Sequence, residues 1–268
     1  MEKIVSLQNS RIKQISKLQA KARERKTTGL FVIEGAREIS LAIEGGYSIE
    51  SVFVCYELFS KSDYPELLKQ VRSNFLFEVS EAVFEKIAYR EGSDGLLALA
   101  KPKSHHLNDL KLPENPFIIL LEAVEKPGNL GAILRTADAS GADAVVVCDP
   151  LTDIYNPNII RSSVGCLFTV PVAVCSNSEA LEFMKSGGIK IYAAELSATR
   201  RYHETDFTVP SSIVMGTEAD GLTGFWLENA DARIKIPMRG KIDSLNVSVS
   251  TAVITFEAMR QRDFKSNY

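Results

Sequence analysis

The sequence predicts an α/β protein built in two unequal parts, and three observations carry that prediction. Short apolar runs rich in β-branched and aromatic residues alternate with helix-patterned stretches along nearly the whole chain. The alternation stops once, at residues 101–116 (KPKSHHLNDLKLPENP), where three prolines punctuate a polar stretch with almost no apolar periodicity. After that break the apolar runs become nearly continuous, as in FIILL and AVVVC, which is how the strands of a mostly parallel sheet covered on both faces read. The expected division is a first domain over residues 1–103, a linker over 104–115 and a second domain over 116–268.

In the first part, residues 10–26 place Ile12, Ile15, Leu18 and Ala22 every three or four positions among lysines and arginines, the pattern of a one-faced helix with a wide charged side. Residues 30–33 read as a strand, 36–43 as a helix stopped by Gly45-Gly46, and 51–55 as a second strand. A helix over 67–71, a strand over 75–79, a helix over 82–88 and a closing strand over 95–100 complete the unit. The adjacent His105 and His106 have no cysteine or carboxylate cluster at ligand spacing, so they read as a linker pair and no metal is expected. In the second part, strands are expected over 117–121, 144–148, 169–174, 189–194, 212–215 and 233–236. Helices over 130–140, 157–163, 178–185 and 247–262 lie between and after them.

Composition bounds the function. With 45% hydrophobic residues, 24% charged residues and 4 cysteines in 268 residues, disorder, collagen and a disulfide scaffold are excluded. No apolar stretch approaches the roughly 18 residues of a spanning helix, and no signal peptide is visible, so no membrane and a cytoplasmic location are expected. The net charge of −3 argues against a polyanionic partner only on average. The first thirty residues hold Lys3, Arg11, Lys13, Lys17, Lys21, Arg23, Arg25 and Lys26 against Glu2 and Glu24, a net of +6 that leaves −9 for the rest. Such a segment is either a solvated helix face or one positive surface offered to RNA.

In open α/β sheets ligands bind beyond the carboxyl ends of the strands, which singles out three loops. The first is residues 122–131 (EAVEKPGNLG), leading into a helix that carries Arg135 and Thr136. The second is residues 216–221 (GTEADG), and the third is residues 237–246 (PMRGKIDSLN). Any one such glycine-bearing loop is more often a plain turn. Their coincidence is what matters, since together they supply Asn129, Arg135, Glu218, Ser244 and Asn246. Neither a Ser/His nor a Cys/His pair stands among them, no GxxxxGK[ST] phosphate loop is present, and Gly128–Gly131 has the wrong spacing for GxGxxG.

At these loops the sequence resembles the SpoU (TrmH-like) RNA ribose 2'-O-methyltransferases. The matching segments are PGNLGAILRTA from Pro127, VMGTEADGL from Val214, and IPMRG from Ile236 with SLNVSV from Ser244; order and separation agree across residues 115–262. The first hundred residues resemble the family's accessory RNA-binding domain, an α/β fold akin to some ribosomal proteins, through FVIEG at Phe31. Lys126 stands where the family more often has an acid, and it could contact RNA phosphate or be merely exposed.

The resemblance implies a deep trefoil knot at the carboxyl end, S-adenosylmethionine as methyl donor without a metal, and a homodimer through the final helix. It implies rRNA as substrate, with tRNA or a non-catalytic RNA scaffold as alternatives. It also implies Arg135 at the 2'-hydroxyl and backbone groups of Gly216, Ile236 and Leu245 on the donor. The chemistry of the remaining loop residues adds Asn129 and Asn246 as amides that orient the ribose and the Arg135 side chain, Glu218 as a charge-assisted partner of Arg135 or of a partner-chain residue or else a plain surface salt bridge, and Ser244 toward substrate or the third loop. Arg161, in NIIRSS, is either a phosphate contact or a plain helix arginine.

Overall fold

The structure is a computed structural model that describes residues 2–59, 67–70, 75–217 and 219–264. In chain order the first elements are β1 (Glu2–Ile4), α1 (Ser10–Ala20), α2 (Ala22–Thr28), β2 (Phe31–Glu34), α3 (Ala36–Glu44), β3 (Ile49–Val54), α4 (Leu67–Gln70), β4 (Leu76–Val79), α5 (Glu81–Ile87) and β5 (Leu96–Ala100). They are followed by β6 (Phe117–Glu122), α6 (Pro127–Ser140), β7 (Ala144–Cys148), α7 (Pro157–Ser162), β8 (Val172–Cys175), α8 (Asn177–Ser186), β9 (Lys190–Ala194) and β10 (Arg200–Arg201). The last are β11 (Ser211–Met215), α9 (Gly224–Asn229), β12 (Ala232–Lys235) and α10 (Val247–Gln261). Of these, β1, β10 and α9 are short pieces with no sequence expectation.

The chain forms two compact units, one of residues Met1–Lys103 with Asp153–Thr169, the other of Ser104–Thr152 with Val170–Tyr268. The first unit holds a five-stranded sheet in the order β1-β4-β3-β5-β2, in which β5 runs antiparallel to both neighbours. One face of it packs Ile12, Ile15 and Leu18 of α1 against Phe53, Phe77 and Phe84.

The single helix expected over residues 10–26 is two. Lys21 leaves helical geometry at φ −131°, ψ 117°, and the break turns the faces of α2 away from those of α1. Ala22, expected in the apolar stripe, is therefore exposed, and Arg25 turns inward. Arg25 is 5% exposed and donates to the Asp153 carboxylate and to the Leu18 carbonyl. Asp153–Thr169 completes this unit: the Tyr155 ring stacks on Phe31 at 4.2 Å, and Phe168 meets Tyr47 edge-on at 5.0 Å. A backbone N–H of Lys103 donates to the Tyr155 hydroxyl at 2.9 Å, while burial pushes that phenol well above its usual range.

The second unit holds a seven-stranded sheet in the order β10-β12-β9-β11-β6-β7-β8, with every pairing parallel. Phe117–Leu121 and Ala144–Cys148 are wholly buried, as their continuous apolar runs require. The sequence order jumps from β8 back across β6 to β9 and β11, so the strand order reverses beside β6 and leaves a crevice at the carboxyl ends.

Candidate active site

Segments that leave the carboxyl edge of the parallel sheet meet at one cavity of about 740 Å³ in the second unit. Its walls include Met215 to Thr217 and Ala219 to Leu222 after β11, Ile234 to Ile236 at the end of β12, and Asp243 to Val247 leading into α10. Gly216, Ile236 and Leu245, the three expected donor contacts, all line it, as do Lys126, Ser244 and Asn246. Ala194, the last residue of β9, and Glu195 to Ser197 after it form a further wall that sequence reasoning passed over. The available signal was their position directly after an apolar strand.

The second segment is folded tightly on itself. Thr217 and Gly221 exchange both backbone hydrogen bonds, at 3.0 and 3.1 Å, and Gly221 sits at φ +70°. Gly216 is pressed so closely on this turn that a Cβ there would lie 2.2 Å from the Gly221 carbonyl carbon. Only glycine fits that approach. Glu218 lies outside the described residues.

The first segment is shorter than expected, because α6 starts at Pro127 and not at Leu130. Proline at the first helical position loses no hydrogen bond there and brings φ near the helical value. Asn129 consequently sits on the first turn of α6, and Asn246 is the N-cap of α10, where its side-chain oxygen accepts from Ser248 N at 2.9 Å. The Asn246 amide donates to the Asn129 side-chain oxygen at 3.2 Å. Two asparagines 117 positions apart in sequence are thereby joined to each other, a contact the sequence did not announce. Asn129 also lines a side pocket of about 70 Å³ with Gly216, Thr217 and Val247.

Arg135 lies farther along α6, exposed, with no ion pair or hydrogen bond to its side chain among the described residues. Ser244 is exposed, and its hydroxyl donates to the Asp243 carboxylate at 3.3 Å. No group of three or more His, Cys, Asp or Glu among the described residues could hold a metal ion. His105 is engaged with the Val172 carbonyl at 2.9 Å. No helix among the described residues is long and apolar enough to cross a membrane.

The expected RNA-contacting cations fall in two groups. Arg11, Lys13, Lys17, Lys21, Arg23 and Lys26 are exposed on the first unit, with the Arg11 guanidinium 4.3 Å from the centre of the Phe77 ring. Arg25 is the departure, because its guanidinium is spent inside that unit on Asp153 and Leu18. Arg161 is exposed on α7, in the segment that packs into the first unit, where it borders a small recess with Gln19, Tyr89 and Arg90.

Comparison with known proteins gives a consistent picture. Residues 116–256 match the SpoU rRNA Methylase family, and residues 9–98 match the MRM3-like substrate binding domain. The chain is 30% identical over 256 residues to the 23S rRNA (guanosine(2553)-2'-O)-methyltransferase RlmP of Bacillus subtilis, covering 96% of this chain and 98% of that protein. It is 29% identical to the 23S rRNA (uridine(2479)-2'-O)-methyltransferase of Streptomyces viridochromogenes, over 96% of this chain and 92% of the other. Among solved structures, an RNA 2'-O ribose methyltransferase superposes with a TM-score of 0.86 at 38% identity, over 97% of this chain and 99% of that one. The SpoU methyltransferase AviRb of Streptomyces viridochromogenes, in complex with AdoMet, superposes at 0.87 with 29% identity, over 96% and 100% of the two chains.

Proposed function

The chain belongs to the SpoU rRNA methylase family, and from that premise we propose that it methylates a ribose 2'-hydroxyl of 23S-type ribosomal RNA with S-adenosylmethionine as donor. The observation that carries the reading is the meeting of the second and third motif segments at one cavity, with Lys126 of the first loop on its wall and Asn129 tied to it through Asn246. Full-length relatives named for 23S rRNA favour rRNA over tRNA, and the enzymatic names favour catalysis over a scaffold.

The cavity fits the donor. Its volume of about 740 Å³ lies in the range of small-molecule sites, and Met215, Leu222, Ile236 and Leu245 offer apolar surface for an adenosine. Lys126, Lys235, Asp220 and Asp243 all line it, a mixed set suited to a ligand that carries both signs of charge. Backbone groups at Gly216, Ile236 and Leu245 would hold the donor, which supplies an electrophilic methyl group on sulfur.

Transfer to a hydroxyl then needs in-line positioning and stabilisation of the charge that develops on oxygen. A guanidinium, with a pKa above about 12, does not serve as a base at neutral pH. Arg135 therefore orients the 2'-hydroxyl and stabilises the alkoxide, while the proton leaves to phosphate or water. Asn129 and Asn246 fix the ribose through their amides, Ser244 contacts substrate or the third loop, and Glu218 holds a cation in the assembled site. Arg135→Ala tests this directly: methyl incorporation falls by about 100-fold or more while donor affinity is kept. Wild-type turnover in that variant overturns the assignment.

The same reading assigns RNA grasp to residues 1–103 through the exposed cations of α1 and α2, with Arg161 and Lys126 as phosphate contacts, residues 104–115 as linker and residues 116–268 as the catalytic part. It includes the trefoil knot, a cytoplasmic location and a homodimer through α10, whose Val249 and Phe256 are 48% and 42% exposed. Light scattering on the purified protein tests the dimer, and a stable active monomer refutes it.

A further inference from the structure

We propose that Glu122 is a positioning residue for the methyl-donor site, holding the far end of the 216–222 segment; this rests on reading that segment as a wall of the donor cavity. Glu122 ends β6, a strand that is otherwise wholly apolar (FIILLE), and is 1% exposed. A carboxyl group there serves no packing purpose that a sixth apolar side chain would not serve better. Its two oxygens meet three donors: Thr223 N at 2.8 Å, Thr223 Oγ1 at 2.7 Å and Asn177 Nδ2 at 2.9 Å. Thr223 N and Asn177 Nδ2 can only donate, so each of the two oxygens accepts at least one hydrogen bond.

Thr223 is the link to the cavity. It follows Leu222, which lines the cavity, and it stands where the tight turn of Gly216 to Gly221 returns to regular structure as the N-cap of α9. The turn is thus closed on itself at Gly216 and fastened to the sheet at Thr223. Asn177 stiffens the anchor from behind: its side-chain oxygen accepts from the fully buried Trp226 indole N–H at 2.7 Å, and its backbone N–H donates to Asp149 at 3.1 Å. The residue after Glu122, Ala123, adopts φ +51° and starts the chain toward Asn129, so the same carboxylate sits at the root of the first motif segment as well. Loops fixed before the donor arrives spare it the ordering cost, and partners held in a buried hydrogen-bonded network lose most when one member goes.

A residue that only stabilises the fold would lower the active fraction, and with it kcat, while leaving KM alone. A positioning residue moves the donor's KM. In the full-length protein, Glu122→Gln turns one acceptor oxygen into a donor facing a donor. It is expected to raise the Kd and KM for S-adenosylmethionine by about tenfold, with kcat at saturating donor and RNA affinity each kept within about twofold. Thr223→Val, at an exposed position, removes only the hydroxyl contact and is expected to raise donor KM by about threefold. It decides the matter if Glu122→Gln does not fold. Unchanged donor KM in the folded variants, or a fall in kcat alone, overturns the proposal. Wild-type protein that fails to bind S-adenosylmethionine by calorimetry overturns the underlying reading instead, so the two failures are separable.

Discussion

The two units solve different problems with different kinds of interaction. In the first, α1 lays Ile12, Ile15 and Leu18 on the sheet and turns lysines and arginines outward, so its positive face is made of many cations, each with a like-charged neighbour. In the second, a wholly parallel and buried sheet presents loops whose geometry hangs on single contacts: Gly216 on Gly221, Asn246 on Asn129, Thr223 on Glu122. Charge is additive and tolerant of position, whereas chemistry needs atoms in place to a fraction of an ångström. One residue at the edge of the second sheet should therefore outweigh one cation on the first helix.

The hardest way to break the contrast is to attack the core of the tolerant unit. Tyr155 is 6% exposed and stacks on Phe31, and it arrives from a segment distant in sequence. Tyr155→Ala should cost about 3 to 5 kcal/mol of stability, read by denaturant unfolding. Donor affinity measured well below the unfolding transition should stay at its wild-type value, because the cavity is lined wholly by the second unit. Loss of donor binding without loss of stability would erase the separation between the units.

Next in size is Gly216→Ala. A methyl group 2.2 Å from the Gly221 backbone has nowhere to go except by opening the turn. The expected result is a loss of donor affinity of about tenfold to a hundredfold, corresponding to overpacking of 1 to 3 kcal/mol. RNA affinity should be unchanged. Gly240→Ala is the matched control, since a Cβ there meets nothing within 4 Å.

Much of this was legible in the chain. Parallel strands announce themselves as continuous apolar runs, and FIILL and AVVVC fell where β6 and β7 lie. The loops that follow apolar strands could be picked out because the carboxyl edge is where such sheets bind ligands, and the cavity formed there. Features decided by distant contacts were not legible. The periodicity of residues 10–26 runs through Lys21 unbroken, yet the helix breaks there and exchanges Ala22 for Arg25, whose partner Asp153 is 128 positions away. Nothing local in DIYNPNIIRSSVGCLFT says that this segment packs with Phe31 and Tyr47 instead of with the strands that flank it in sequence. Glu122 did carry a signal, a lone acid closing an apolar strand, but its meaning required Thr223 and Asn177 to be in place.

The smallest expected effect sharpens the comparison most, because it falls within one helical stretch. Lys13 and Lys17 are exposed on α1, whereas Arg25 on α2 is buried and committed to Asp153 and Leu18. If RNA is held by counterion release, each exposed lysine that meets a phosphate contributes about one unit to the slope of log affinity against log salt. Lys13→Ala and Lys17→Ala should each lower that slope by about one, with roughly uniform weakening across RNA sequences and methyl transfer at saturating RNA unaffected. Arg25→Ala removes the same formal charge, but from a side chain that has no surface to offer. It should lower the thermal midpoint of unfolding and leave the salt slope within error of wild type. Equal slopes for Lys17→Ala and Arg25→Ala would mean that the buried guanidinium reaches the RNA after all, and that the helix break at Lys21 does not sort the cations into structural and binding sets.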